Sequence, residues 1–161
     1  MTRIPQHKMD EIVQVWNARG EGLVSHMALD IQKVSAEGVL VRMPFNPDFC
    51  VDSEQTRLHG GILTALLDSV FGFANLISIE SMSAMATLDL RVDYLRPAHS
   101  RADIFVRAHC YRQTRHIAFN SGNIWFDGHE DEEIARGTAT FAITRGGTSL
   151  IEAMAKGQTT R

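Results

Sequence analysis

The stretch GGILTALLDSVFGFANLISI, residues Gly60–Ile79, decides the fold of this 161-residue chain. It is apolar on nearly every side, and Asp68 is its only charged residue. An apolar run of this length predicts a long helix that must be covered all round. A carboxylate is costly in such surroundings unless it is used or paired. Asp68 is therefore the first candidate for a functional residue.

The start of this helix is marked by His59, Gly60 and Gly61. Paired glycines let the backbone turn tightly into a helix, with N–H groups that point outward. Those N–H groups carry the positive end of the helix dipole and can hold a developing oxyanion. An oxyanion-holding end and a lone carboxylate on one helix indicate carbonyl chemistry.

The rest of the chain predicts one domain with an α+β fold. Apolar spacing predicts an N-terminal amphipathic helix over about residues 5–19 and a hairpin within residues 27–43, followed by a loop. Four strands follow the long helix, at about residues 88–94, 104–110, 117–126 and 134–143. We expect a core at about residues 25–145, a loosely ordered tail at 146–161, and an antiparallel sheet curled around the long central helix.

The amino-acid composition limits the classes of binding partner and cofactor that we expect for this chain. A net charge of −3 and a pI near 6.1 indicate no global attraction to nucleic acid or anionic membranes. The two cysteines, Cys50 and Cys110, and the scattered histidines lack the spacing of a metal site. The N-terminus lacks a signal-peptide core, and polar residues interrupt the long apolar run. We expect a cytoplasmic protein without cofactor, metal, nucleic acid or membrane partner.

Two segments carry a resemblance to a known family. The first is His59-Gly60-Gly61 followed by Leu67-Asp68, and the second is ATLDLRVDYLRP at residues 86–97. Together they resemble the hotdog-fold acyl-CoA thioesterases of the phenylacetate-thioesterase type, and the second segment is similar to bacterial members acting on medium- and long-chain acyl-CoA. The resemblance covers residues 25–145. It implies a hotdog fold and hydrolysis of acyl-CoA to free acid and CoA, in fatty acid metabolism.

The resemblance also implies roles for individual residues. The Gly60 N–H, with Gly61 beside it, polarises the thioester carbonyl. Asp68 is the nucleophile or the general base for water, and the hydroxyl of Thr87 orients that water or the carboxylate. His59 has a place in the same motif, where a capping role fits it better than that of a base.

Other positions depart from the family pattern or lie further from the chemistry. Many relatives carry an asparagine six residues before the motif histidine, where this chain has Ser53. Gln55 is the alternative source of a carbonyl-binding amide. Arg115 lies in a turn between strands where relatives meet the coenzyme A phosphates, and we expect Arg96 to contact these phosphates as well.

Helix geometry predicts that two chains form the site. Gly60 and Asp68 are eight residues apart, roughly 12 Å along a helix, too far to act on one carbonyl carbon. We therefore expect a homodimer, or a homotetramer built as a dimer of dimers, in which Gly60 of one subunit meets Asp68 of another. Simple alternation places Thr87 with Asp89, away from the helix, and a bulge near Ala86 would turn it inward.

Three alternatives stay open at this point. Asp68 can belong to a solvated stripe with Thr64 and Asn75 that only keeps the helix soluble. A hotdog hydratase or dehydratase would use a loop histidine as base, and the nearby histidine is the one in the glycine turn. A non-catalytic acyl-CoA-binding sensor would carry an added DNA-binding helix pair, for which the residues before the hairpin leave no room.

Overall fold

The computed structural model describes residues 5–17, 22–35, 37–79, 83–144 and 146. The predicted N-terminal helix is present as α1, Gln6–Asn17, and a short second helix, α2, covers Gly22–His26. The predicted helix residues 18 and 19, and the predicted tail beyond residue 146, lie outside the described residues.

A six-stranded sheet follows the predicted strand pattern. Its members are β1 Asp30–Ser35, β2 Gly38–Met43, β3 Ala84–Tyr94, β4 Ile104–Gln113, β5 Ile117–Phe126 and β6 Ala135–Thr144. Their order across the sheet is β1-β2-β4-β5-β6-β3, and neighbouring strands run antiparallel. The predicted hairpin is β1–β2. The structure begins β3 four residues earlier than predicted, because the β-propensity of Leu88–Tyr94 does not reveal where pairing with β6 starts.

The central helix, α3, covers Gly60–Ile79 as predicted and packs against the sheet. Two glycines of the sheet allow the close approach. A Cβ at Gly122 would lie 2.9 Å from Cε1 of Phe71, and a Cβ at Gly137 would lie 2.8 Å from Cδ1 of Leu67. Real Cβ atoms do not tolerate such contacts, so these two positions of β5 and β6 need glycine.

The polar residues of α3 do not form one solvated stripe. Asn75 is fully buried, while Thr64 and Asp68 are half-buried. The solvated-stripe alternative is therefore wrong for Asn75. By length and composition α3 could cross a membrane, but 56% of its most apolar window is buried inside the chain. Core helices of water-soluble proteins meet the same criterion, so the length of α3 is weak support for a membrane span.

Strand β3 forms one edge of the sheet and is the least covered strand. Leu88 and Tyr94 are 59% and 53% exposed, whereas Leu90 and Val92 are half-buried. The prediction of a regular half-buried alternation from Leu88 to Tyr94 is therefore wrong at both ends. An edge strand also leaves one row of backbone hydrogen-bonding groups unpaired within the chain.

Candidate active site

The carboxylate of Asp68 is bound by a hydroxyl on the edge strand. Thr87 Oγ1 donates a hydrogen bond to Asp68 Oδ1 over 2.7 Å. The register of β3 against β6 shifts between Thr87 and Asp89, which leaves Leu88 as the extra residue of a β-bulge. The bulge removes the conflict with simple alternation, because it turns Thr87 and Leu90 to the helix side. It lies after Thr87, two residues beyond the expected place at Ala86.

The surroundings of Asp68 leave its second oxygen available. Asp68 is half-buried, and within the described residues no lysine or arginine forms an ion pair with it. A carboxylate with one oxygen held and the other reachable can activate water or attack a carbonyl carbon. Among the residues that the structure describes, no group of three or more His, Cys, Asp or Glu side chains is placed to hold a metal ion.

The start of α3 leaves one outward N–H without a partner. His59 Nδ1 accepts a hydrogen bond from the Gly61 N–H over 2.9 Å, and the Ile62 N–H bonds the His59 carbonyl. His59 thus caps the helix, and the Gly61 N–H is occupied. The Gly60 N–H makes no hydrogen bond with any described residue. Of the two glycine donors considered from the sequence, Gly60 is the one that remains open to a carbonyl oxygen.

Tyr94 is a member of this site that the sequence analysis missed. Its hydroxyl donates to the Gly60 carbonyl oxygen over 3.0 Å and lies 2.7 Å from Thr64 Oγ1. In the sequence, Tyr94 counts only as the last apolar residue of an alternating strand. The signal that could have found it is its polar tip, since a tyrosine hydroxyl that lies against a helix start needs a partner.

A surface cleft of about 390 Å³ opens beside the helix start. Its lining includes Arg57, Gly60, Tyr94, Leu95 and Arg96. Arg96 Nη1 also donates to the Glu133 carbonyl over 3.5 Å, a long contact that leaves its other donors available. The cleft therefore joins the open Gly60 N–H to two cationic side chains, a combination suited to an anionic ligand.

Gln55 lies on a tight turn, and within the described part of the chain it makes no hydrogen bond to Gly60 or Asp68. Asp52 shapes the turn by accepting hydrogen bonds from Thr56 N–H, from Thr56 Oγ1 at 2.7 Å, and from Arg57 N–H at 2.6 Å. These donors, led by the Arg57 N–H, lower the pKa of Asp52 from 3.8 to about 2. Gln55 is exposed, with φ at +54°. Ser53 is exposed on the same turn.

The two predicted phosphate-binding arginines lie at opposite ends of the sheet. Strands β3 and β5 both pair antiparallel with β6, so they run in the same direction. Arg115 precedes β5 and is therefore at the end where Thr87 lies, whereas Arg96 follows β3 at the Tyr94 end. Within one chain, Gly60 thus lies toward the same end of the sheet as Arg96, and Asp68 lies toward the same end as Arg115.

Comparison with known proteins finds similarity to the family that the sequence resembles. The sequence model of the thioesterase superfamily matches residues 55–132, just under half of this chain. Human acyl-coenzyme A thioesterase 13 is 32% identical over 75 residues, which cover 44% of this chain and 53% of the human protein. The medium/long-chain acyl-CoA thioesterase YigI of Salmonella typhimurium is 33% identical over 97 residues, covering 48% of this chain and 63% of YigI. The chain spans about half the length of the first curated relatives it matches.

The fold also matches a solved thioesterase structure. Thioesterase HI1161 of Haemophilus influenzae superposes with a TM-score of 0.70 and 19% identity, over 88% of this chain and 91% of that one. At this identity the likeness is one of fold alone. The predicted α+β hotdog fold and the resemblance to hotdog acyl-CoA thioesterases are both confirmed.

Proposed function

We propose that this chain, a hotdog-fold protein of thioesterase type, hydrolyses acyl-CoA thioesters with Asp68 as its reactive carboxylate and the Gly60 N–H as carbonyl donor. The observation that carries the proposal is the hydrogen bond from Thr87 to Asp68. It fixes a lone, half-buried carboxylate on the helix whose start carries an open N–H. General thioester hydrolysis is what the matched family does, and the residue roles combine those that the resemblance implies with the contacts described above.

The chemistry follows from the charge that develops on the thioester oxygen. The Gly60 N–H donates to that oxygen, and the helix dipole adds to its positive field. As general base, Asp68 takes a proton from water, the hydroxide attacks the carbonyl carbon, and the C–S bond breaks to release the CoA thiolate. As nucleophile, Asp68 would first form an acyl anhydride, which water then hydrolyses. Thr87 holds the carboxylate in place for either course.

The edge position of β3 supports a site built from two chains. Antiparallel pairing of β3 with β3 of a second copy would continue the sheet and cover Leu88. It would also place the Tyr94 end of one strand beside the Thr87 end of the other, because antiparallel neighbours run in opposite directions. Gly60 and Arg96 of one subunit would then face Asp68 and Arg115 of its partner. A homodimer, alone or within a tetramer, is part of the proposal.

The substrate class is a CoA thioester with a medium or long aliphatic acyl chain. The similarity to YigI, a medium/long-chain acyl-CoA thioesterase, supports this chain length. Gly72 lies one turn after Asp68 on the same flank of α3, and a Cβ there would meet nothing within 4 Å. An extended acyl chain can pass along such an open flank. A role in fatty acid metabolism and a cytoplasmic location belong to the same proposal.

Release of free thiol from a panel of acyl-CoAs, from acetyl to palmitoyl and phenylacetyl, tests the activity. Asp68→Asn should lower turnover at least about 100-fold. Asp131→Asn, which changes an exposed carboxylate in a loop, is the matched control. If Asp68→Asn keeps more than a tenth of wild-type turnover, Asp68 is not the reactive carboxylate.

A second pair of variants tests the donor. Gly60→Pro removes the N–H at the first helical position, where proline is well tolerated, and should lower turnover about 100-fold. Gly60→Ala keeps the N–H and adds nearly the same contact, so it is the matched control. Equal activity of the proline and alanine variants would exclude the Gly60 N–H as carbonyl donor.

A single turnover in ¹⁸O-labelled water tests for a nucleophilic Asp68. If water opens the anhydride at the aspartyl carbonyl, the first equivalent of acid carries ¹⁶O from Asp68, and this result would exclude a general base, which delivers ¹⁸O from the first turnover.

A further inference from the structure

The Gly60–Gly61 peptide unit is held from both sides. Its carbonyl oxygen, on Gly60, accepts the hydrogen bond of the Tyr94 hydroxyl over 3.0 Å. Its N–H, on Gly61, donates to His59 Nδ1 over 2.9 Å. This is the peptide that directly follows the open Gly60 N–H. Holding it fixes the Cα of Gly60, which is also one end of the peptide that carries the open N–H.

The ring of Tyr94 contributes a second restraint. A Cβ at Gly60 would lie 3.3 Å from Cε1 of the ring, so the ring lies directly against the helix start. The hydroxyl of Thr64 is 2.7 Å from the Tyr94 oxygen. The Thr64 hydroxyl also lies 3.5 Å from the Gly60 carbonyl oxygen, so either hydroxyl can be the donor in the contact between Thr64 and Tyr94. The three groups form a short hydrogen-bonded chain from the first turn of α3 to the end of β3.

We propose that Tyr94 is a positioning residue that orients the Gly60 N–H toward the thioester oxygen by holding the Gly60–Gly61 peptide against His59. This inference rests on the proposed thioesterase function. The bonded carbonyl belongs to the enzyme and not to the substrate, so Tyr94 acts through Gly60. An oxyanion donor is effective only when it is fixed before the reaction, and small displacements of such groups are costly in rate.

The role assigned to His59 differs from that of an acid or base. Nδ1 accepts from a backbone N–H, so in this arrangement Nδ1 carries no proton of its own. An asparagine at a helix cap can accept the same hydrogen bond with its side-chain oxygen. His59→Asn should therefore recover most of the turnover that His59→Ala loses. If His59 acted by proton transfer, the asparagine and alanine variants would be equally inactive.

Tyr94→Phe is the decisive variant, because it keeps the ring and removes only the hydroxyl. We expect turnover to fall about 10-fold while KM for acyl-CoA changes less than about 2-fold, since the lost contact orients a group that acts in the transition state. Thr64→Val should give a smaller loss in the same direction. Tyr111→Phe, at the chain's other tyrosine, 56% exposed on β4, is the matched control. Unchanged turnover, or a rise in KM alone, would overturn the proposal.

A measurement without substrate separates this inference from the function on which it rests. The ¹H–¹⁵N resonance of Gly61 reports the peptide directly, because its N–H shares that peptide with the Gly60 carbonyl. It should shift in Tyr94→Phe and stay in place in Tyr111→Phe. If the wild-type protein hydrolysed no acyl-CoA, the proposed function would fail. The Gly61 resonance would then still show whether Tyr94 holds the peptide. An unchanged Gly61 resonance in Tyr94→Phe would refute the positioning role of Tyr94.

Discussion

Thr87 and Tyr94, seven residues apart on β3, bind the two ends of the candidate site on α3. Thr87 donates to the Asp68 carboxylate over 2.7 Å, and Tyr94 donates to the Gly60 carbonyl over 3.0 Å. The edge strand thereby sets the position of both the proposed reactive group and the proposed carbonyl donor. A change that moves β3 should therefore alter the positions of both the Asp68 carboxylate and the Gly60 N–H.

Thr87→Val should lower turnover about 10-fold, which corresponds to about 1.4 kcal/mol of transition-state free energy. The substitution keeps the β-branched shape suited to a strand and removes the donor to Asp68. Thr87→Ser should recover most of the activity, and Thr138→Val on the exposed side of β6 is the control. Steady-state kinetics on one acyl-CoA suffice. A valine variant as active as wild type would show that Asp68 needs no hydroxyl partner.

Asp68→Asn and Gly60→Pro should complement each other in mixed dimers. Each homodimer lacks one half of every site, whereas a mixed dimer contains one complete site and one without either group. Random assembly from equal amounts should restore about a quarter of wild-type turnover. Co-expression with two different tags and sedimentation of the purified protein provide the measurement. Activity that stays at the level of the single variants, or an active monomer, contradicts a site shared between chains.

Arg115→Ala should raise KM for acyl-CoA about 10-fold with little change in turnover at saturation. A remote phosphate contact binds the ground state and the transition state about equally. Arg96→Ala should act in the same direction, from the other end of the sheet. Acyl-pantetheine lacks the nucleotide phosphates, so wild type and both variants should hydrolyse it equally well. Equal impairment on both substrates would mark Arg115 as structural.

The turn that carries Gln55 should keep its hydrogen bonds to Asp52 at a lower pH than a carboxylate with an ordinary pKa would permit. The pKa of Asp52 is lowered in the folded chain to about 2 from 3.8. Its contribution to stability is therefore complete above about pH 3.8 and is lost as the pH falls through about 2. Carboxyl ¹³C titration should give a midpoint well below 3.8. A midpoint at 3.8 would mean that the Thr56 and Arg57 hydrogen bonds do not hold the turn in solution.

Local sequence patterns were enough to predict the helices and strands and to identify Asp68 as the candidate functional carboxylate. The bounds of α3, the β1–β2 hairpin, and the His59-Gly60-Gly61 helix start depend on residues close in the sequence. Helix periodicity and capping act over one or two turns, so they can be read from neighbouring residues. The lone carboxylate at Asp68 was visible for the same reason.

The roles of Gln55 and Ser53 could not be judged from their spacing to His59. Spacing along a loop says little about direction, and the hydrogen bonds to Asp52 leave both residues exposed on a turn. Likewise, the sequence assigned both Arg96 and Arg115 to the coenzyme A phosphates but did not give their positions relative to one another. The pairing of β6 with both β3 and β5 separates them to opposite ends of the sheet.

The amino-acid sequence by itself determined the central helix, the strands around it and the candidate carboxylate Asp68, because each depends on local periodicity and composition. Only the tertiary structure decided that Thr87 faces Asp68, that His59 occupies the Gly61 N–H, and that Tyr94 binds the Gly60 carbonyl. These contacts, apart from the cap, join residues 19 or 34 positions apart. They depend on one extra residue in the β3–β6 register, which is set by the summed packing of the whole sheet and not by any neighbouring residue.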